Sequence, residues 1–293
     1  VWDAVEALAL RIKAQDPDHP VTTMLAGIDA HTVEAIAKRA PSLDFLSFQI
    51  YGEIDHLPKI LDEAGYDGPY QITEWGPTGH WESPETVWRR PFEPSSTQKA
   101  NDILRRYEDI ILSDAKRCIG SYIFLWGQKQ ERTPTWYGMF LETGERTEAV
   151  EVMQQVWTGH LPTHNAPKIQ SLFLNQQEAP ASIEAGVDQV LSAEVMLTRN
   201  DNHLISWRVR EEVPAALQSD GGDFEPTPPT LHSMTGTHAR EFSFKLSKPG
   251  EYRLFCQVDA PEKTSAVSNI PFLIKPKPLK LKRFLNLFGR KAA

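Results

Sequence analysis

One change of texture near residue 158 constrains this chain more than any other feature. Upstream of it, helical and strand patterns alternate. Residues 1–15 place Val5, Leu8 and Ile12 on one helical face, and Asp16-Pro17-Asp18-His19-Pro20 ends that helix. Short apolar strands are predicted at 21–26, 44–51, 70–73 and 120–125, with helices at 32–39, 57–64, 98–116 and 146–158. Four strands separated by helices predict a parallel sheet, because parallel neighbours need a crossover between them. Downstream, residues 161–167 read as a linker, and 168–275 show only alternating strand patterns, at 169–174, 190–197, 204–209, 241–246, 252–258 and 268–274. Turn clusters such as Asn200-Asp201-Asn202 and Lys248-Pro249-Gly250 separate these strands. The expectation is an immunoglobulin-like β-sandwich with Trp207 in its core and a mobile loop over residues 219–229.

Composition excludes several classes. At 40% hydrophobic and 24% charged residues the 293-residue chain is of ordinary globular type, and it has no apolar run long enough for a membrane span. A net charge of −8 argues against a general nucleic-acid binder. Cys118 and Cys256 are too far apart for a disulfide framework or a zinc motif. His19, His31, His56, His160 and His164 are scattered without ligand spacing, so no metal and no cofactor is expected. Residues 276–293 carry only positive charges, interleaved with Leu and Phe, and read either as a charged, poorly ordered terminus or as a basic amphipathic tail for an anionic membrane surface.

The chemistry concentrates at three strand ends. Gln71-Ile72-Thr73-Glu74-Trp75-Gly76 delivers a carboxylate at the end of a strand, followed by His80, Trp81 and Glu82. Ser47-Phe48-Gln49-Ile50-Tyr51-Gly52 offers a Tyr at a second strand end, and Leu125-Trp126-Gly127-Gln128-Lys129 a Trp and polar groups at a third. In parallel α/β folds, sites lie at the carboxyl ends of strands. Carboxylate, Tyr and Trp suit a sugar, whose apolar face packs on an indole and whose anomeric carbon a carboxylate can attack.

These motifs, with Gly120–Gly127 and Trp136-Tyr137-Gly138, resemble the last strands of a clan A (β/α)8 glycoside hydrolase, nearest the barrel domain of glycoside hydrolase family 2. The resemblance covers residues 1–160 and implies the C-terminal half of a barrel, strands five to eight, followed by the sandwich. It implies a retaining β-glycosidase in which Glu74 is the nucleophile and Tyr51 orients it. Trp126 is then the sugar platform, and Trp75, His80, Trp81 and Gln128 line the subsite. The family's acid/base Glu follows an Asn, and this sequence has no Asn-Glu pair. A barrel also needs about 250 residues. Together with a start, Val1-Trp2-Asp3-Ala4, that reads as mid-helix, this implies a C-terminal portion whose acid/base and first strands lie upstream or on a second chain. Of Glu82, Glu85, Glu131 and Glu142, Glu131 is best placed by sequence to substitute for that acid. The partner expected is a β-linked oligo- or polysaccharide. A non-catalytic glycan-binding or scaffold protein of polysaccharide assembly is the competing expectation, and either implies a periplasmic or extracellular location by association.

Overall fold

A computed structural model describes residues 1–199, 202–219, 221 and 223–277. It is a mixed α/β structure with three sheets. Its first part runs α1 (Trp2–Gln15), β1 (Thr22–Ala26), α2 (Ala30–Arg39), β2 (Phe45–Gln49), α3 (Leu57–Glu63), β3 (Tyr70–Trp75), α4 (Ser96–Arg106), β4 (Cys118–Ile123) and α5 (Glu148–Thr158). The four strands are parallel and lie in the order β1-β2-β3-β4. The helices cover one face of this sheet: Val33, Ile36, Leu57, Leu61, Ile103 and Met153 pack on Leu46, Phe48, Tyr70 and Ile72. Each such burial contributes roughly 1.5–3 kcal/mol.

Local signals set the boundaries. Asp29 caps α2 through Thr32 N at 2.8 Å, and Ser95 with Gln98 forms a reciprocal capping box on α4. The single helix expected over 98–116 is shorter: α4 passes into a π-helical turn, Tyr107–Leu112, and the chain turns before β4. The strand expected over 44–51 stops at Gln49 and gives way to a 3-10 turn, Gly52–His56.

Among its described residues the second part holds only strands and one short turn: β5 (Ile169–Leu174), β6 (Ile183–Gly186), β7 (Val190–Leu197), β8 (Leu204–Glu211), β9 (Thr230–Thr237), β10 (Glu241–Lys245), β11 (Gly250–Ala260) and β12 (Thr264–Lys275). They form a sheet β10-β7-β5 and a sheet β6-β12-β11-β8-β9 that share one core. Trp207 is fully buried there, stacked on Phe242, with its Nε1 donating to Ala239 O at 3.2 Å. β6 and β9 are edge strands that the sequence pattern does not announce. β6 is four residues long, and β9 is mostly polar because one side of it faces solvent. The basic tail expected over 276–293 lies outside the described residues, apart from Pro276 and Lys277.

A buried polar network joins the two parts. Glu93, 4% exposed, accepts from Lys99 Nζ at 2.5 Å, Thr133 Oγ1 at 2.6 Å, Thr135 Oγ1 at 2.8 Å and Asn269 Nδ2 at 2.5 Å. Asn269 on β12 in turn accepts from Arg253 Nη1 at 2.6 Å. That guanidinium also binds Glu212 Oε1 at 2.8 Å and Pro91 O at 2.9 Å. Burial works to raise the Glu93 pKa, but Lys99, Thr133 and Arg253 outweigh it and hold the carboxyl below its ordinary value. A carboxyl depressed in the folded state adds stability above its unfolded pKa, and that stability is lost as pH falls through the folded one. Glu93→Ala, which leaves Lys99 buried without its carboxylate, is expected to cost about 3–5 kcal/mol in urea unfolding at pH 7. The margin over the variant should be full above about pH 4.5 and shrink on acidification. A loss below about 1 kcal/mol, the scale of an exposed pair, would remove this network from that role.

Candidate functional site

The site forms where β2, β3 and β4 end. β3 carries a bulge: its pairing with β4 shifts between Ile72 and Trp75, and its pairing with β2 shifts at Phe48/Gln49. Ile72 and Trp75 are therefore both fully buried on the helix side, while Thr73 and Glu74 both remain partly exposed. The second shift sets Glu74 beside Gln49, whose Nε2 lies 3.3 Å from Glu74 Oε2. Tyr51, two residues past β2, donates its hydroxyl to Glu74 Oε1 at 2.5 Å. Burial, and then the Glu74 carboxylate, push the Tyr51 pKa far up, so the phenol keeps its proton and stays a donor.

Backbone contacts fix the loop after Glu74. A Cβ at Gly76 would stand 2.5 Å from Phe124 O, so the close approach of β3 to the β4 exit requires glycine. Arg106 donates to Gly76 O at 2.9 Å and to Thr78 Oγ1 at 2.8 Å. Glu82 accepts the amides of Gly52, Glu53 and Gly79 at 2.7, 2.7 and 2.8 Å. That carboxylate ties the β3 loop to the β2 loop and is thereby spent on structure. It leaves Trp81 exposed and edge-on to Tyr51, with ring centroids 5.4 Å apart.

The resulting cavity of about 580 Å³ has Glu74 and Tyr51 on one side and Trp81, Phe124 and Tyr137 as aromatic walls. Gln128, Lys129 and Glu131 line the remainder. Lys129 Nζ bonds Glu131 Oε2 at 2.6 Å and sits 5.9 Å from the Phe124 ring centre. His80 Nε2 lies 3.3 Å from Glu131 Oε1. Burial works to raise the Glu131 pKa, but His80 and Lys129 overcome it and hold this carboxyl below its ordinary range. Lys129 also donates to Gly221 O, which brings the β8–β9 loop to the cavity. That loop, expected to be mobile, is anchored by Glu225. Only 2% exposed, Glu225 accepts from Ser219 N at 3.0 Å, Gln130 Nε2 at 3.1 Å and Arg132 Nη1 at 3.3 Å.

Of the residues expected from sequence, Glu74, Tyr51, Trp81 and Gln128 meet at this cavity. His80 stands behind it, against Trp81, Trp136 and Tyr137. The structure does not bring Trp75 or Trp126 there. Trp75 follows the bulge into the core beside Tyr107. Trp126 lies against Phe140 and Trp157, with ring centroids 5.1 and 6.2 Å away. β4 ends at Ile123, two residues earlier than expected, so Phe124 is the aromatic that faces the cavity. Its position directly after the strand was the signal available for it. Gln49 and Tyr137 were also missed. Gln49 directly precedes the Ile50-Tyr51 pair at the strand exit, whereas Tyr137 carries no local signal. Glu85 is not in the cavity, and Glu142 lies elsewhere.

No family model matches the chain, and no curated protein does. Among solved structures it is similar to the α-L-arabinofuranosidase from Thermotoga maritima, at 12% identity over 92% of this chain and 61% of that one, with a TM-score of 0.39. It is likewise similar to the GH51 α-L-arabinofuranosidase from Thermotoga petrophila RKU-1, at 12% identity over 92% and 61%, with a TM-score of 0.38. CopC from Methylosinus trichosporium OB3b shares 7% identity over 38% of this chain and 95% of that one, at a TM-score of 0.23. The chain thus spans 61% of the length of either arabinofuranosidase.

The Glu225 anchor makes the cavity wall testable without a ligand. Charge-assisted bonds of this kind contribute about 1.5–3 kcal/mol each, so Glu225→Ala should speed amide hydrogen exchange around 216–227 by about tenfold or more. Exchange in β11 and β12 should stay as it was. An unchanged loop would show that Glu225 does not hold it.

Proposed function

We propose that this chain carries the nucleophile side of a retaining β-glycoside hydrolase site, with Glu74 as nucleophile and Tyr51 as the group that orients it. The observation that carries this reading is the Tyr51–Glu74 hydrogen bond of 2.5 Å at the edge of an aromatic-walled cavity. Tyr51 and Gln49 hold the two carboxylate oxygens, and the weaker contact leaves Oε2 as the attacking atom. Oε2 bonds the anomeric carbon as the bond to the leaving oxygen breaks, and that oxygen takes a proton from a general acid. Water then attacks the same carbon, releases the carboxylate and gives up its proton to the conjugate base. Trp81 and Phe124 offer apolar faces to the ring, and Gln128 an amide to its hydroxyls.

Glu131 is poorly suited to be the acid. Protonating a leaving group needs a carboxyl whose pKa is raised, and His80 and Lys129 do the reverse. The family's acid would come from strands preceding β1, in line with reading residues 1–160 as the strand-five-to-eight half of a family-2-type barrel. The consecutive parallel order β1-β2-β3-β4, with Glu74 and Tyr51 at carboxyl strand ends, supports that reading, and the two-sheet core of 168–275 supports an immunoglobulin-like sandwich. The ionised state of Glu131 also favours a second reading for the chain by itself: a site that holds a glycan without cleaving it.

Activated 2-deoxy-2-fluoro glycosides, pentofuranosides as well as hexopyranosides, separate the two readings because their leaving groups need no acid. Intact mass should rise by one glycosyl group, and the adduct should be absent in Glu74→Gln. Tyr51→Phe should slow trapping by about 10–100-fold, the worth of a hydrogen bond to a charged group. A folded protein that forms no adduct with any member of the panel would leave the binding reading.

A further inference from the structure

A second cavity, of about 170 Å³, lies between the loop after β4 and the outer face of the five-stranded sheet. Arg208 and Arg210 stand two apart on β8, so both side chains leave the face opposite Trp207 and Val209. Phe255 and Gln257 on the neighbouring β11 complete that wall, and Pro134, Leu141, Glu142 and Thr143 face it. Among the described residues neither arginine forms an ion pair. Arg208 Nη1 donates to Gln257 Oε1 at 2.9 Å, Arg210 Nε donates to Thr230 Oγ1 at 3.2 Å, and both acceptors are neutral. The Arg210 guanidinium lies 5.8 Å from the Phe255 ring centre. Burial, followed by the like charge of Arg208, lowers the Arg210 pKa, and Glu142 on the exposed rim offsets this only in part. A protein of net charge −8 thus keeps two neighbouring cations in a partly buried cleft without a carboxylate between them.

We propose that this cleft binds a carboxylate-bearing sugar, a uronic acid residue, with the carboxylate on Arg208 and Arg210 and the ring against Phe255. Paired guanidinium forks match a carboxylate, and an aromatic face matches the apolar side of a sugar ring. Drug-sized ligands occupy roughly 300–1,000 Å³, so the smaller cleft suits one ring or a chain end. The sugar as carrier of the carboxylate rests on the glycan reading of the Glu74 cavity. The two cavities share no lining residue, but one loop, 124–143, walls both. A glycan carrying acidic residues could therefore engage both sides of that loop.

The test is binding of methyl β-glucuronide to the full chain by calorimetry or ligand-observed NMR, with methyl β-glucoside, acetate and sulfate beside it. The glucuronide should bind with a Kd on the order of 1 mM at low salt, and the glucoside should not bind. Arg210→Gln should weaken binding about tenfold or more, as loss of a charge-assisted contact does. Glu142→Gln, an exposed change that threatens no fold, should strengthen binding about two- to threefold by removing the rim's negative charge. Glu74→Gln should leave it unchanged. Sulfate or acetate binding as tightly as the glucuronide would overturn the sugar assignment, and glucuronide binding indifferent to Arg210 and Glu142 would overturn the site. Failure of glycosyl trapping with glucuronide binding intact would count against the Glu74 reading alone.

Discussion

The structure depends first on a carboxylate that water does not reach. Glu93 stands on the loop before α4, yet its four donors come from α4, from the loop after β4 and from β12. A charge removed from water at that depth is tolerable only when every lone pair is satisfied. The loop after β4, α4 and the second part of the chain are therefore placed by one shared requirement. The same loop supplies Lys129 and Glu131 to the candidate site, so the polar junction and the cavity are built from one segment.

Around Glu74 the protein assigns its carboxylates to different tasks by their surroundings. Glu82 is consumed by three backbone amides and stiffens two loops. Glu225 holds a strand-connecting loop of the second part against the first. Glu131 is paired with Lys129 and lies beside His80. Among the described residues only Glu74, held by a phenol and an amide, lines the cavity without a cation against it. The difference lies in partners rather than residue type, and chemistry follows from it.

Much of this was legible in the sequence. Helix and strand periods located β1 to β4 and α1 to α5 to within a few residues, apart from the C-terminal end of α4, since each buries one face on a common core. Tyr51, Glu74, Trp81 and Gln128, which line one cavity, stand out in the sequence because strand exits are short and local. What stayed hidden depends on register or on distant contacts. The true end of β4 decides between Phe124 and Trp126, and apolar residues run straight through that end. Edge strand β6 is only four residues long and β9 has no buried residue, so neither carries an alternating apolar pattern long enough to read. The bonds that Gln130 and Arg132 make to Glu225 on the β8–β9 loop come from far away in sequence, and no property of a Gly- and Pro-rich stretch announces them.

The β3 bulge has a consequence for Trp75. In an unbroken strand, alternation would put Glu74 on the same side as Ile72 and send Trp75 to the other. A charge would then enter the helix-covered core and an indole would leave it, two unfavourable moves made together. The buried indole thus acts as a counterweight: so long as Trp75 stays seated beside Tyr107, the backbone cannot straighten, and the carboxylate before it stays aimed outward. A residue that does not line the cavity in this way decides which direction the Glu74 carboxylate points.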